Sequence, residues 1–267
     1  MPHACPGLVC LWMACGFYFH LGVMGYQGLG IALVIVFQLA IARRPFAQLW
    51  VRDADKFRLD GRTWALAAGL FAASAALLIF SRGTLGASNQ VSRFIGLLAV
   101  GAIPAAFALR NQRAEKLRAA LPFILIAIVG RFVWRVGWAP TWAGEMAFPL
   151  AKLPDFFADA LAEFIAAFVI EEVAFRGALD AHLASASASR LHAWSSAIFV
   201  SMLWSVWHLP VTHPHTKNFW PLFADVGLFG AIIWGPVLSF CARRSRTLVP
   251  SAAIHAAGNA YVLTLMR

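Results

Sequence analysis

Long apolar runs separated by short polar loops make up most of the chain. Residues 7–41 contain no Lys, Arg, Asp or Glu, and the later runs have about the 20 residues that a membrane-spanning helix needs. The first run fits either one long helix or a hairpin of two short ones. The pattern predicts an all-α fold, a polytopic transmembrane bundle of about eight helices. The other predicted spans are 63–80, 91–109, 118–138, 154–175, 191–209, 219–242 and 248–266.

The loops between these runs differ in charge. Basic residues concentrate in alternate loops, above all in 43–62, 110–118 and 243–246. Because loops rich in Lys and Arg stay on the cytoplasmic side of a membrane, we expect these loops inside and the C-terminus outside.

Composition agrees with a membrane protein. The chain is 61% hydrophobic and 13% charged, with a mean hydropathy of +0.71, whereas soluble domains are about 45–50% apolar and about 25% charged. The net charge of +10 follows from the basic loops, so the bilayer and not nucleic acid is the expected partner. Cys5, Cys10 and Cys15 share no helical face and form no CxxC pair, so neither a disulfide framework nor a cysteine zinc site is expected.

Ionisable side chains inside apolar runs are costly and therefore mark candidate functional sites. The second half of the chain has three such groups, each with a spacing of four residues that keeps its members on one helical face. A carboxylate, two imidazoles and an amide from three helices can build one polar pocket with a base and oxyanion donors. The candidate residues are Glu171, Glu172, Arg176, Trp204, His208, His255 and Asn259.

The two adjacent acids are expected to differ. Glu172 lies four residues before Arg176 and can pair with it, whereas Glu171 points about 100° away on an α-helix and is available for another partner. A carboxylate in such a site can act as the general base for a water molecule.

The depth of these groups raises a geometric difficulty. If the glutamate span ends at 175, Glu171 lies near the cytoplasmic end of its helix and His208 near the outer end of the next. At about 1.5 Å per residue these depths differ by about 25 Å, too far for a shared pocket. We therefore expect the glutamate helix to continue past Arg176 toward Ala184.

Two further sets of charged residues are less specific. Arg131 and Arg135 are expected to extend to the outer interface beside nearby tryptophans. Asp155, Asp159 and Glu163 lead to Glu171 in steps of four or eight residues. This acidic row either faces headgroups or a hydrated cavity, or lines an approach to the site.

The three groups resemble the motifs of a known family. Glu171-Glu172-x-x-x-Arg176, Trp204-x-x-x-His208 and His255-x-x-x-Asn259 are similar to those of the CPBP family. This family contains CAAX prenyl endopeptidases and bacteriocin-processing or immunity proteins, regarded as glutamic intramembrane proteases. The resemblance covers about residues 155–265. The family pattern has Phe where this chain has Trp204, a change expected to alter pocket shape more than chemistry.

The resemblance implies a role for each motif residue. Glu171 would activate the attacking water with help from His208, and His255 with Asn259 would stabilise the oxyanion. Glu172 and Arg176 would support the site, and Trp204 would line the substrate pocket. The apolar runs and loop charges predict one membrane domain, with N-terminal transmembrane helices and basic cytoplasmic loops in 1–150. The resemblance adds a catalytic transmembrane core in 151–267.

The expected function is that of an intramembrane endopeptidase that hydrolyses a peptide bond of a membrane-associated protein or peptide. Zinc held by Glu171, His208 and His255 is an alternative, but the chain has no HExxH motif, so a site without metal or cofactor is expected. Two other functions compete. One is a catalytically silent family member that acts as regulator or immunity partner, and the other is a proton-coupled transporter using Glu171, Asp159 and Glu163. The expected location is the bacterial inner membrane, as a multi-pass protein.

Overall fold

The structure is a computed structural model that describes residues 4–82, 89–138, 150–185, 189–212 and 223–265. Within these residues the regular structure is helical, apart from one isolated β-bridge between Val51 and Thr247. The predicted all-α class is therefore confirmed.

The first half forms helices at the predicted places, and the first apolar run is a hairpin of two helices. The chain turns between them at His20, which has a positive φ of 49°. Trp12 donates its indole N–H to the carbonyl of Tyr26 at 2.7 Å and lies so close to Gly30 that a Cβ there would overlap the ring. The helices are Ala4–Tyr18, Val23–Val36 with a π-helical extension Phe37–Ala42, Gly61–Arg82, Asn89–Arg110 and Ala114–Trp138.

The second half is built around a long helix that we call the glutamate helix, residues 153–184. It begins as the α-helix Leu153–Ala167, becomes π-helical over Phe168–Asp180 and ends with Ala181–Ala184. The predicted extension past Arg176 is thus confirmed. The helices that follow are Arg190–Trp207, Leu209–Thr212, Phe223–Trp234 (π-helical), Gly235–Ser245 and Val249–Leu265.

Three helical stretches in the described residues are long and apolar enough to cross a membrane, namely Gly25–Ala42, Gly61–Phe80 and Ala114–Trp134. Cys5–Tyr18 and Ile95–Arg110 are shorter apolar helices. A bundle of about eight transmembrane helices is therefore not established. The outward side of the third stretch is apolar: Leu121, Leu125, Val129 and Phe132 are exposed, and such a surface is stable in lipid rather than in water.

The loops that were predicted to share the cytoplasmic side meet at one end of the molecule. Arg52 N–H donates to the carbonyl of Arg246 at 2.8 Å, and Leu248 N–H donates to that of Trp50 at 3.1 Å. Lys116 pairs with Asp53. The loops 43–62, 110–118 and 243–246 therefore form one polar layer.

Asp60 anchors this layer to the following helix. Its carboxylate accepts the backbone N–H of Thr63 at 2.9 Å, as a helix N-cap does, and also pairs with Arg110. The hydrogen bond from the Arg110 guanidinium holds the pKa of this exposed carboxyl well below its usual range.

A buried ion cluster attaches the end of the glutamate helix to the polar layer. The Asp180 side chain is fully buried and receives Arg243 Nε at 2.9 Å and Nη2 at 2.5 Å. Arg52 approaches the same carboxylate at 3.4 Å. The Asp180 carboxylate therefore joins the glutamate helix to the parts of the polar layer that carry Arg52 and Arg243. Arg243 also donates to the carbonyl of Ala193 and the hydroxyl of Ser196, which connects the helix Arg190–Trp207 to the same cluster.

The N-terminal hairpin packs against the second half through aromatic rings. Trp12 stacks on Phe175 with 6.3 Å between ring centroids and meets Trp207 edge-on at 5.0 Å. The Tyr26 hydroxyl donates to the carbonyl of Trp207 at 2.9 Å, inside the core. The hairpin thus supports the helix end that carries His208.

Candidate active site

Three of the predicted site residues, Trp204, His208 and His255, converge on the Glu171 carboxylate. Trp204 donates its indole N–H to Glu171 Oε2 at 2.7 Å. The Nε2 atoms of His208 and His255 lie 3.7 Å and 3.6 Å from the same oxygen. The separation of about 25 Å that a helix ending at residue 175 would have required does not occur. The glutamate helix continues beyond Arg176, as expected, and Glu171 lies well inside its length.

Glu172 faces another set of partners in the interior. Its Oε1 lies 2.9 Å from His255 Nδ1 and 3.4 Å from Arg176 Nη1, and all three side chains are buried. The predicted pairing of Glu172 with Arg176 is therefore confirmed. His255 stands between the two acids, with Nδ1 on Glu172 and Nε2 toward Glu171.

The imidazole of His208 has a defined orientation. Its Nδ1 lies 2.8 Å from the carbonyl oxygen of Trp204, and since a carbonyl only accepts, Nδ1 is the nitrogen that carries a proton. In the neutral ring Nε2 then holds a lone pair directed toward Glu171. The separation of 3.7 Å is too long for a direct hydrogen bond.

Trp204 contacts four of the candidate site residues, namely Glu171, Arg176, His208 and His255. The guanidinium of Arg176 lies over its ring at 4.9 Å, a cation–π distance, and the rings of His208 and His255 meet it edge-on at 5.0 Å and 5.4 Å. The expectation that Trp in this position affects pocket shape more than chemistry stays a prediction; the structure adds a hydrogen bond from its indole N–H to Glu171, which a phenylalanine could not make.

The Asn259 side chain is oriented by a hydrogen bond to Glu163. Its amide donates to Glu163 Oε2 at 3.2 Å. Asp159 is fully buried and Glu163 binds Asn259, so these two members of the acidic row do not face headgroups. A hydrated cavity and an approach to the site remain as the other two interpretations of the row. Glu163 orients the amide of a predicted site residue.

A cavity of about 110 Å³ opens beside Glu171. This volume holds a few small groups and is below the size of a typical ligand pocket, about 300–1,000 Å³. Trp234 lies 3.0 Å from where a Cβ on Gly258 would stand, so the glycine permits this ring to pack closely against the last helix. The lining residues are Arg131, Glu171, Trp204, His208, Phe229, Gly230, Trp234, His255, Gly258 and Asn259.

The cavity wall contains residues that sequence reasoning missed. Arg131 was expected at the outer interface, but its guanidinium lies over the rings of Phe229 at 5.4 Å and Trp234 at 5.7 Å and lines the cavity. The available signal was an arginine inside an apolar run, which is itself a functional indicator. The side chain of Arg135 lies outside the described residues.

The candidate zinc ligands are Glu171, His208 and His255. Among the residues that the structure describes, no group of three His, Cys, Asp or Glu side chains has the arrangement of a metal site. All three proposed zinc ligands nevertheless face one another, with the Nε2 atoms of His208 and His255 at 3.7 Å and 3.6 Å from Glu171 Oε2, so the zinc alternative stays a prediction.

Residues 153–261 match the model of a known protein family, described as type II CAAX prenyl endopeptidase Rce1-like. The family resemblance is confirmed for this segment. All seven predicted site residues lie inside the Rce1-like segment, whereas Arg131 and the N-terminal hairpin lie outside it. The Rce1-like family is a family of peptidases. This match, together with three apolar helices in the described residues, is typical of a membrane protein. Comparison with curated proteins and with solved structures gave no match.

Proposed function

We propose that the protein is an intramembrane endopeptidase in which Glu171 activates water. The observation that carries this proposal is the convergence of two imidazole Nε2 atoms and one indole N–H on a single carboxylate oxygen beside a small cavity. A buried structural ion pair needs only its own partners, and that role already belongs to Glu172 with Arg176.

In the proposed reaction, the Glu171 carboxylate takes a proton from water as the water oxygen bonds to the substrate carbonyl carbon. His208 accepts a hydrogen bond from that water at Nε2. Protonated His255 and the amide of Asn259 donate to the oxyanion. The carbon–nitrogen bond then breaks, and Glu171 passes its proton to the leaving amine, which yields a carboxylic acid and an amine.

Supporting residues would hold these groups in place. Glu172 keeps the His255 ring oriented through Nδ1, and Arg176 balances the charge of Glu172. Glu163 holds Asn259. None of these steps uses a metal, and we propose a site without a cofactor.

The substrate would be a membrane-associated protein or peptide. Ala193 and Ser196 contact Arg243 in the polar layer and lie on the same helix as Trp204, which binds Glu171. At 1.5 Å per residue, Glu171 is therefore about 15 Å from that layer, near the middle of a hydrocarbon core about 30 Å thick. A peptide bond would have to enter the bilayer to be cleaved. We further propose a multi-pass protein of the bacterial inner membrane.

The test compares the wild type with Glu171→Gln in the membranes of an expression host. New protein termini are identified by mass spectrometry, and a peptide spanning the cleavage site is then hydrolysed by purified protein in H₂¹⁸O. We expect the termini with the wild type and with Glu115→Gln, an exposed control, but not with Glu171→Gln. Equal cleavage by Glu171→Gln would refute the proposal.

The same experiment separates the alternatives. A zinc enzyme would lose hydrolysis with 1,10-phenanthroline and regain it with Zn²⁺, whereas a metal-free site would be insensitive to the chelator. A silent regulator would yield no new termini in any variant. No observation in the described residues favours the proton-coupled transporter over hydrolysis.

A further inference from the structure

The two oxygens of the Glu171 carboxylate have different surroundings. All three polar contacts that the described residues make with this side chain fall on Oε2, namely Trp204 Nε1 at 2.7 Å, His255 Nε2 at 3.6 Å and His208 Nε2 at 3.7 Å. Only the contact from Trp204 has the length of a hydrogen bond. The carboxylate is therefore held through one oxygen by one donor.

Trp204 is itself held firmly. The side chain is 5% exposed, with Arg176 over its face and the edges of two imidazoles against it. Its carbonyl accepts the Nδ1 proton of His208. Since both the ring and its backbone are fixed, the direction of the indole N–H is fixed as well.

We propose that Trp204 is a positioning residue that holds Glu171 through Oε2 and so leaves Oε1 to take the proton of the attacking water. This inference rests on the proposed function, with Glu171 as the base. A carboxylate that rotates about its last bond presents either oxygen in many orientations, and a fixed N–H removes that freedom before the substrate binds. Phenylalanine keeps the apolar ring but has no donor.

The decisive experiment replaces Trp204 with 3-benzothienyl-L-alanine, in which sulfur takes the place of the N–H with little change in shape. The readout is hydrolysis of the cleavage-site peptide identified above. We expect kcat to fall by about 10- to 100-fold, the loss of one hydrogen bond to a charged group, while KM changes less than about 2-fold. Trp204→Phe should show the same separation of kcat from KM.

Trp207 offers a matched control on the same helix. It is also buried, and its indole N–H has no hydrogen-bond acceptor among the described residues. The same replacement at Trp207 should leave kcat unchanged. An activity-independent readout is the carboxylate stretching band of Glu171, obtained as the infrared difference between wild type and Glu171→Gln, which should shift only with the replacement at Trp204.

Three results overturn the inference: an isosteric variant at Trp204 with wild-type kcat, a rise in KM at constant kcat, or an unchanged carboxylate band. A variant that fails to fold is replaced by Trp204→Phe, read by the same band. If wild type cleaves, Glu171→Gln does not, and the isosteric variant is fully active, only the role of Trp204 fails. If Glu171→Gln cleaves normally, the proposed function itself fails.

Discussion

Asp180 is the residue whose neutralisation should most weaken the attachment of the glutamate helix to the polar layer. Asp180→Asn preserves the size of the side chain but removes the charge that compensates Arg243, whose side chain is 10% exposed, and Arg52, whose side chain is 22% exposed. Removing one partner of a buried ion pair costs about 3–5 kcal/mol. Arg243 keeps the carbonyl of Ala193 and the hydroxyl of Ser196 as acceptors. We therefore expect a loss of unfolding free energy at the lower end of this range, about 3 kcal/mol.

Thermal unfolding of the purified protein in detergent measures this effect. A loss of about 3 kcal/mol lowers Tm by about 6–12 °C in a chain of this size. Arg52→Gln removes only the longer and more exposed contact and should cost less than about 1 kcal/mol. Arg58→Gln, in the exposed part of the same loop, should leave Tm unchanged.

A double variant tests the physical reason. In Asp180→Asn combined with Arg243→Gln the buried charge of Arg243 is gone, and only the more exposed Arg52 loses its partner. The Tm of the double variant should therefore exceed the value that the two single variants predict by addition. A Tm for Asp180→Asn within about 1 °C of the wild type, or strict additivity in the double variant, would refute the reasoning.

Three other substitutions follow from the described contacts. Glu172→Gln leaves Arg176 uncompensated in the interior and should lower the free energy of unfolding by about 3–5 kcal/mol, measured in the same unfolding assay. Tyr26→Phe removes a buried hydrogen bond and should cost about 1 kcal/mol, whereas Tyr18→Phe, 79% exposed, should cost nothing measurable. Gly177→Ala would place a Cβ onto the carbonyl oxygen of Leu49, so it should lower Tm and reduce the yield of folded protein in size-exclusion chromatography.

Each of these three has a contrasting outcome that would count against it. Glu171→Gln should be as stable as the wild type, because the Glu171 side chain is 12% exposed and pairs with no arginine among the described contacts. Equal destabilisation by Glu171→Gln and Glu172→Gln would contradict the role of Glu172 as the charge that compensates Arg176. A Tyr18→Phe effect as large as that of Tyr26→Phe would remove the role of the buried hydroxyl. Gly69→Ala meets nothing within 4 Å and should be neutral or stabilising, so equal losses at both glycines would disprove the steric argument.

Local spacing predicted much of the fold and the site. Apolar run length located the helices, and the four-residue spacing of Glu172 and Arg176 predicted their contact, because both depend on the geometry of one helix. The extension of the glutamate helix to Ala184 followed from requiring Glu171 and His208 to share a pocket.

Local spacing could not predict the contacts between different helices. Arg131, Phe229 and Trp234 reach the cavity because of how distant helices pack, and no local pattern encodes that packing. The bond from Trp204 to Glu171 depends on the rotation of two helices about their axes, which a motif does not specify. The π-helical backbone over Phe168–Asp180 was also missed, since the 100° rotation per residue assumed for Glu171 belongs to an α-helix.

The contacts of the N-terminal hairpin determine how far the chain can be shortened from its N-terminus without loss of packing around His208. The region of recognisable homology starts at residue 153, yet Trp12 and Tyr26 hold the end of the helix that presents His208. A truncated chain that keeps only residues 153–261 would expose the Trp207 ring. It would also lose the hydrogen bond that the Tyr26 hydroxyl donates to the Trp207 carbonyl. The segment that matches the family model is therefore not the whole packing unit, because the end of the helix that carries His208 also depends on contacts from the N-terminal hairpin.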